Sequence, residues 1–266
     1  MAEHPSRDGC ALVTGGGARL GAAIVSRLAA DGWAVAIHAR EMGAANAIAA
    51  ELTAQGHRAA AVSGDLSAPD AAERIFADVQ AKLGPCTFLV NSAAAFDYDD
   101  IATLSAQSMD ALYRVNLRAP VLLAQTFARR LVGNGLIVNL LDQKVFNLNP
   151  DFLSYTIMKS ALQSATELLA MALAPRIRVC GVAPGLTLRS GEQTQDGFEK
   201  AHARAPLGFG STPDDIAEAV SFLGRVPSIT GQTIVVDGGQ SLVRRDRDIM
   251  FSYGISPDAP VGNKKL

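Results

Sequence analysis

Two side chains four residues apart, Tyr155 and Lys159 in the run Ser154-Tyr-Thr-Ile-Met-Lys159, have the types needed to move a proton. A free phenol titrates near ~10, and an ammonium on the same helical face stabilises its phenolate. Lys159 is therefore expected to draw the Tyr155 pKa down toward the working range. Far upstream, Thr14-Gly-Gly-Gly-Ala-Arg-Leu-Gly21 has the glycines that let backbone amides approach a dinucleotide phosphate. Asp142 stands thirteen residues before Tyr155. In this order the residues point to hydride transfer coupled to proton delivery.

A Tyr-x-x-x-Lys pair alone is a common surface pattern, so its position in the chain decides its meaning. Short apolar runs alternate with longer helical patterns. Strands are expected at Ala11–Thr14, Ala34–Ile37, Ala59–Val62, Thr87–Val90, Leu136–Leu140, Ile177–Val182 and Thr233–Val236. Helices are expected at Leu20–Ala30, Gly43–Gln55, Ala71–Leu83, about Ser108–Leu131, about Phe152–Ala174 and Pro213–Leu223. The alternation means βαβ units around a parallel sheet, and the unbroken apolar strands mean helices on both faces. The Gly-rich turn then follows the first strand and opens the first helix, the setting a dinucleotide fingerprint requires. The Tyr/Lys pair follows the fifth strand and precedes Val182-Ala-Pro-Gly185.

The chain has 266 residues, 48% hydrophobic and 19% charged, which suits one α/β catalytic domain over 1–266. Two stretches break the rhythm: 186–211, long and polar, is expected to be a substrate lid, and 240–266 a polar tail docked on a neighbouring subunit. A net charge of -2 without a basic patch argues against a nucleic-acid partner. Three scattered cysteines suggest free thiols, and His57 and His202 stand without metal-ligand spacing. Residues 1–9 lack the apolar core of a signal peptide, and Leu162–Ala174 is too short and polar to span a bilayer. The expectation is a soluble cytoplasmic protein acting on a small molecule.

The second strand runs into His38-Ala-Arg40, where an Asp or Glu would mark preference for a free ribose hydroxyl. His38 and Arg40 favour a 2′-phosphate instead, hence NADPH, with Glu41 a mild counter-signal. Arg19 can reach a cofactor phosphate or an acidic substrate edge, or sit solvated on the first helical turn. Asp65 fits either a cofactor contact or a cap on the turn after it. Asp97, Asp99 and Asp100 read best as a solvated loop.

Over roughly residues 9–243 the chain resembles the short-chain dehydrogenase/reductase family. The resemblance rests on Thr14–Gly21, Asp65-Leu66, Asn91-Ser-Ala-Ala94, Asn116, Tyr155/Lys159, Pro184-Gly185 and Asp237-Gly-Gly239 falling in order. It implies a Rossmann-type, doubly wound parallel seven-stranded sheet of order 3-2-1-4-5-6-7, and a homotetramer. Gly15, Arg19, Leu20 and Gly21 would line the cofactor phosphates, and Asp65 and Leu66 the adenine. Asn91 and Ala93 would lie along the cofactor, with Pro184, Gly185 and Thr187 beside the nicotinamide or a phosphate. Lys159 would hold the nicotinamide ribose, and Asn116 would help relay protons through water.

Most members carry Ser where this chain has Asp142, and an ionised carboxylate cannot donate to a substrate carbonyl. The pteridine reductase-like (dihydromonapterin reductase-like) branch is similar in that substitution, in an Arg at the place of Arg19 and in a Phe at the place of Phe96. This chain departs from the branch at Ala94 and Ala95, where serines are frequent. The implied substrate is a dihydropterin-type ring: Phe96 would stack on it, Arg19 would bond its edge, and Tyr155, tuned by Asp142 and Lys159, would protonate it. Phe96 as a core residue, Asp142 facing solvent, and a ketone, sugar or acyl substrate remain the alternatives.

Overall fold

The computed structural model describes residues 9–190 and 193–252. Seven parallel strands form one sheet in the order β3-β2-β1-β4-β5-β6-β7. They are β1 (Cys10–Thr14), β2 (Ala34–Ala39), β3 (Ala59–Ser63), β4 (Cys86–Asn91), β5 (Gly135–Leu140), β6 (Ile177–Pro184) and β7 (Thr233–Val236). The order expected for this Rossmann-type fold is the one observed.

The strands are apolar on both faces because each face is covered, and their residues alternate between two cores with the period of two that a pleat imposes. Ala11, Val13, Val35, Ile37, Phe88 and Val90 pack with α1 (Arg19–Ala30), α2 (Met42–Ala54) and α8 (Pro213–Arg225). Leu12, Ala34, Ala36, Leu89 and Ile137 pack against α3 (Ala71–Leu83), α5 (Ala119–Arg130) and Ala170 of α6 (Leu153–Leu173). The sheet reverses its winding between β1 and β4. There the carboxyl ends of the strands leave a crevice between the outgoing loops, the place where such sheets bind ligands.

The helix expected over Ser108–Leu131 is divided. It runs as α4 (Ala106–Tyr113), a π turn at Arg114–Arg118 and then α5. Pro120 supplies the reason. An α-helix would need the amide of residue 120 to bond the carbonyl of Asn116; proline has no such amide, and its ring crowds that carbonyl. The wider π turn relieves the conflict, and it places Asn116 at the break.

The polar stretch 186–211 contains a helix, α7 (Gln195–His202), whose first turn is capped by the Thr194 hydroxyl accepting from Gly197 N at 3.0 Å. Of the tail expected over 240–266, residues 240–252 are described, and residues 249–252 form a short 3-10 turn. That part lies on its own chain, against the aromatic residues at the start of α6, rather than reaching away from it. Residues 253–266 lie outside the described residues. Among the described residues no helix is long and apolar enough to cross a membrane.

Candidate active site

The turn after β1 is built for close approach. Gly15 has φ +66, and a Cβ there would stand 2.9 Å from the Cα of Ala93. A Cβ on Gly21 would overlap the carbonyl of Gly15. The N-cap of α1 is Ala18, with no side-chain cap and no acidic residue in the first turn, so the first amides of the helix are left to an anionic ligand. Arg19 is held at φ 52, a conformation that side chains rarely adopt and that recurs at ligand clamps. Its guanidinium donates to the Arg189 carbonyl at 3.2 Å, tying the turn to the 186–211 stretch. Leu20 packs against the core cluster that includes β1. This arrangement fits a dinucleotide pyrophosphate.

His38 requires a correction. It does not offer a positive charge to a phosphate. Its side chain is buried, its Nδ1 accepts from Gly15 N at 3.3 Å, and its Nε2 donates to the Gly64 carbonyl at 3.1 Å. Burial pushes its pKa down to about 4, so the ring is neutral at pH 7 and serves as a strut for the Gly-rich turn. Arg40, exposed just beyond the end of β2, is the remaining one of the two that could meet a 2′-phosphate. Asp65 is also exposed, and its carboxylate accepts from Ser67 N at 2.9 Å, which makes it a cap on its own turn. Hydrogen bonds from Ser67 lower its pKa, and the charges of Arg40 and Arg74 lower it further. Leu66 is buried in the core.

Thr14 ties the end of β1 to the end of β4: its hydroxyl accepts from Ser92 N at 3.0 Å and Ala93 N at 3.1 Å. Asn91 turns its amide to Asn139 at 2.8 Å, and Asn139 in turn donates to Thr166 at 2.9 Å. The Asn91 side chain is thus part of a buried polar ladder across β4, β5 and α6. Pro184 ends β6. Gly185 donates to Val236 O at 2.9 Å, in a place where a Cβ would come 2.7 Å from the Cβ of Asp237. The Thr187 hydroxyl donates to Gly185 O at 2.9 Å and meets Ser211 Oγ at 2.7 Å. With its proton committed, it retains acceptor capacity, which suits an amide NH2 better than a phosphate.

Tyr155 and Lys159 share one face of α6, both buried. The helix starts without a cap of its own, because Phe152 occupies the N-cap with φ 53. Asp99 provides the cap from the loop after β4: Oδ1 accepts from Ser154 N at 2.9 Å, and its backbone carbonyl accepts from Leu153 N at 3.1 Å. The expected solvated acidic loop is therefore corrected at Asp99, which is buried and holds the first turn of the helix carrying Tyr155.

Asp142 does not face solvent. Its Oδ2 accepts from the Tyr155 hydroxyl at 3.0 Å, and its Oδ1 accepts from Lys144 N at 2.8 Å. Lys159 Nζ donates to Leu140 O at 2.6 Å and lies 5.7 Å from the centre of the Tyr155 ring. The expectation that Lys159 lowers the Tyr155 pKa is overturned. Burial pushes the phenol well above its ordinary value, and the Asp142 carboxylate pushes it further. Burial also raises Asp142 itself, against the Lys144 N–H that lowers it. The pair has little room for two anions, and the stronger acid ionises first, so Tyr155 keeps its proton. Burial lowers Lys159 to about 8, against the attraction of Asp142. At pH 7 the result is a phenol kept protonated beside a carboxylate and an ammonium.

Asn116 uses both side-chain atoms on one residue: its Oδ1 accepts from Ala95 N and its Nδ2 donates to Ala95 O, each at 2.8 Å. It fixes the loop that presents Phe96. That ring is 42% exposed, which sets aside its reading as a core residue. It stacks on Phe152 at 4.4 Å and meets Tyr155 edge-on at 4.8 Å.

Several residues of the site had no local signature. Lys144 Nζ is buried against Asp248 Oδ2 at 2.9 Å. Arg247 pairs with the buried Asp151 at 2.9 Å, and Phe251 packs on Tyr98 and Phe152. The charged spacing of Arg247-Asp248 was visible in the sequence, but nothing local shows that it returns to β5 and α6.

A family model described as "Enoyl-(Acyl carrier protein) reductase" matches residues 17–241. The "Short-chain dehydrogenase/reductase eriH" of Hericium erinaceus is 33% identical over 254 residues, covering 88% of this chain and 98% of its relative. Among solved structures, FolM alternative dihydrofolate reductase 1 from Brucella suis, in complex with NADP, superposes with a TM-score of 0.87 at 40% identity. The match covers 90% of this chain and 97% of that one. A short chain dehydrogenase from Burkholderia cenocepacia, also in complex with NADP, gives 0.82 at 32% identity over 89% and 98% of the two chains. With the strand order and the Gly-rich turn already described, these matches identify the chain as a member of the short-chain dehydrogenase/reductase family.

Proposed function

We propose that the protein is an NADPH-dependent reductase of a dihydropterin-type ring, with Tyr155 as proton donor. The observation that carries this reading is the Tyr155 hydroxyl on Asp142 at 3.0 Å, beside the exposed ring of Phe96. The FolM relative at 40% identity, named an alternative dihydrofolate reductase, supports the same substrate class.

When bound, the cofactor supplies a hydride to a ring carbon. The chain supplies the rest. Gly15, Arg19, Leu20, Gly21 and the start of α1 hold the pyrophosphate. Arg40 holds the 2′-phosphate, and Asp65, Leu66 and Ala93 line the adenosine half of the groove. Pro184, Gly185 and Thr187 orient the nicotinamide amide, and Lys159 its ribose. Tyr155 gives its proton to the ring nitrogen next to the reduced carbon. Asp142 aims the hydroxyl and can itself bond the donor-rich edge of a pterin, which a Ser hydroxyl would do less strongly. Phe96 offers its exposed face to the flat ring. With both Asn116 side-chain atoms on Ala95, any relay role passes to its backbone.

The stretch 186–211 acts as a lid held by Arg19. The apolar residues Ile157, Leu168 and Met171 on α6, with Phe222 and Val235 near β7, are exposed in the single chain, as the faces of a homotetramer would be. The expected compartment is the cytoplasm.

A second reading, NADP(H)-dependent oxidoreduction of a ketone, sugar or acyl substrate, is favoured by relatives named (3R)-3-hydroxyacyl-CoA dehydrogenase (Mus musculus, 33% identical) and carbonyl reductase family member 4 (Danio rerio, 32% identical). The two are separated by following NADPH oxidation with dihydrobiopterin or dihydromonapterin beside a panel of simple ketones. Pterin-dependent oxidation supports the first reading; oxidation with ketones alone overturns it.

A further inference from the structure

Behind the Asp142–Tyr155 pair lies a second ionic layer with no part in the reaction described above. Lys144 contributes to the site twice. Its backbone N–H holds Asp142 Oδ1 at 2.8 Å, and its side chain turns away to Asp248 Oδ2 at 2.9 Å. Lys144 is buried and Asp248 half-buried, their side chains 4% and 18% exposed, and the ammonium lies 5.2 Å from the centre of the Phe152 ring.

Asp248 is itself immobilised. Its Oδ1 accepts from Met250 N at 3.0 Å, and its backbone N–H donates to Asp151 Oδ2 at 2.6 Å. Asp151 is buried and takes Arg247 Nε on both oxygens at 2.9 Å. Met250 enters the apolar cluster that contains Tyr155, Phe152 and Met158. The segment 247–250 is thus anchored by charge and by apolar packing on the helix that carries the proton donor. A buried ion pair costs desolvation and is weak evidence for stability, so its location calls for a reason.

We propose that Asp248 is a positioning residue for proton delivery: it clamps Lys144, whose backbone N–H fixes the Asp142 carboxylate against the Tyr155 hydroxyl. This rests on the proposed role of Tyr155 as proton donor. The charge of Asp248 also reaches the pair and opposes ionisation of both Asp142 and Tyr155. The groups that face Asp142 are Lys159 and Tyr155 from α6, Lys144 from its own turn and Asp248 from the C-terminal segment. Removing the Asp248 carboxylate leaves Lys144 as an uncompensated cation and favours the Asp142 anion. Removing the Lys144 ammonium exposes Asp142 to the full charge of Asp248 and disfavours that anion.

The test uses the full chain without substrate, labelled at the aspartate carboxyl carbons, with the Asp142 resonance assigned by its loss in Asp142→Asn. Carboxyl NMR then follows the Asp142 titration. The expected result is a midpoint displaced to lower pH in Asp248→Asn, to higher pH in Lys144→Met, and near the wild-type value in Asp248→Glu. Those displacements report the charges; the positioning is read from the backbone amide of residue 144, whose proton shift should follow the Asp142 titration in the wild type and in Asp248→Glu and lose that dependence in Asp248→Asn. A residue-144 amide that still follows the Asp142 titration in folded Asp248→Asn overturns the proposal; if that variant does not fold, the same persistence in Lys144→Met overturns it equally. With a pterin that turns over, the acid limb of kcat/KM should follow the same displacements. A pterin panel without turnover refutes the proposed reaction, whereas the residue-144 amide readout still decides the role of Asp248.

Discussion

The Tyr155 hydroxyl donates to Asp142 Oδ2 at 3.0 Å across thirteen residues of chain, and this bond gives the site its character. A Ser in place of Asp142 would add a neutral donor. The carboxylate accepts a hydrogen bond from the phenol instead, and with burial it keeps the proton on Tyr155.

Tyr155→Phe removes the proton and leaves the ring in place. Turnover should fall by at least ~100-fold, the usual contribution of a positioned general acid. NADPH affinity, read by fluorescence, should change little. Turnover near that of the wild type would end the proton-donor assignment.

Arg40→Ala tests the cofactor preference. With His38 neutral, Arg40 is the cation near the end of β2, and losing one charge-assisted bond of about 1.5–3 kcal/mol should weaken NADPH roughly 10- to 100-fold. NADH binding should be unaffected. Equal effects on the two cofactors would remove the phosphate role.

His38 gives a pH dependence of stability whose sign is fixed. Its pKa is lowered from 6.5 to about 4 in the folded chain, so between these values the unfolded state binds more protons. The stabilisation is complete above pH 6.5 and is lost as the pH falls through about 4, amounting to roughly 3 kcal/mol. Urea unfolding across this window should show a shallower acid loss in His38→Gln than in the wild type. Identical slopes would contradict the buried neutral histidine.

Asp99→Ala removes the remote cap of α6. The amide of Ser154 then loses its partner, and stability should fall by about 1–2 kcal/mol. Turnover should fall as well, because Tyr155 is the next residue along the frayed turn. A Tm unchanged from the wild type would show that Asp99 does not hold the helix.

Much of this protein was legible in its sequence, because its signals are local and periodic. Apolar runs of four to six residues alternating with amphipathic helices specify a parallel sheet, and a sheet of that kind has few permitted connections. The Gly-rich turn was readable because phosphate binding needs backbone freedom at fixed offsets, and Tyr155/Lys159 because a helix brings residues four apart to one face. Tertiary structure alone decided the charge states and the partners. His38 looked like a phosphate ligand until its burial between Gly15 and Gly64 made it a neutral strut. Lys159 was expected to lower Tyr155 until burial and Asp142 reversed the sign. Asp99 resembled a solvated loop charge and Asp248 part of a tail docked on a neighbouring subunit, and both lie beside the first turn of α6. The physical reason is common to all four: a side chain's electrostatics depends on what surrounds it in space, and those neighbours lie 13 to 104 residues away in the chain.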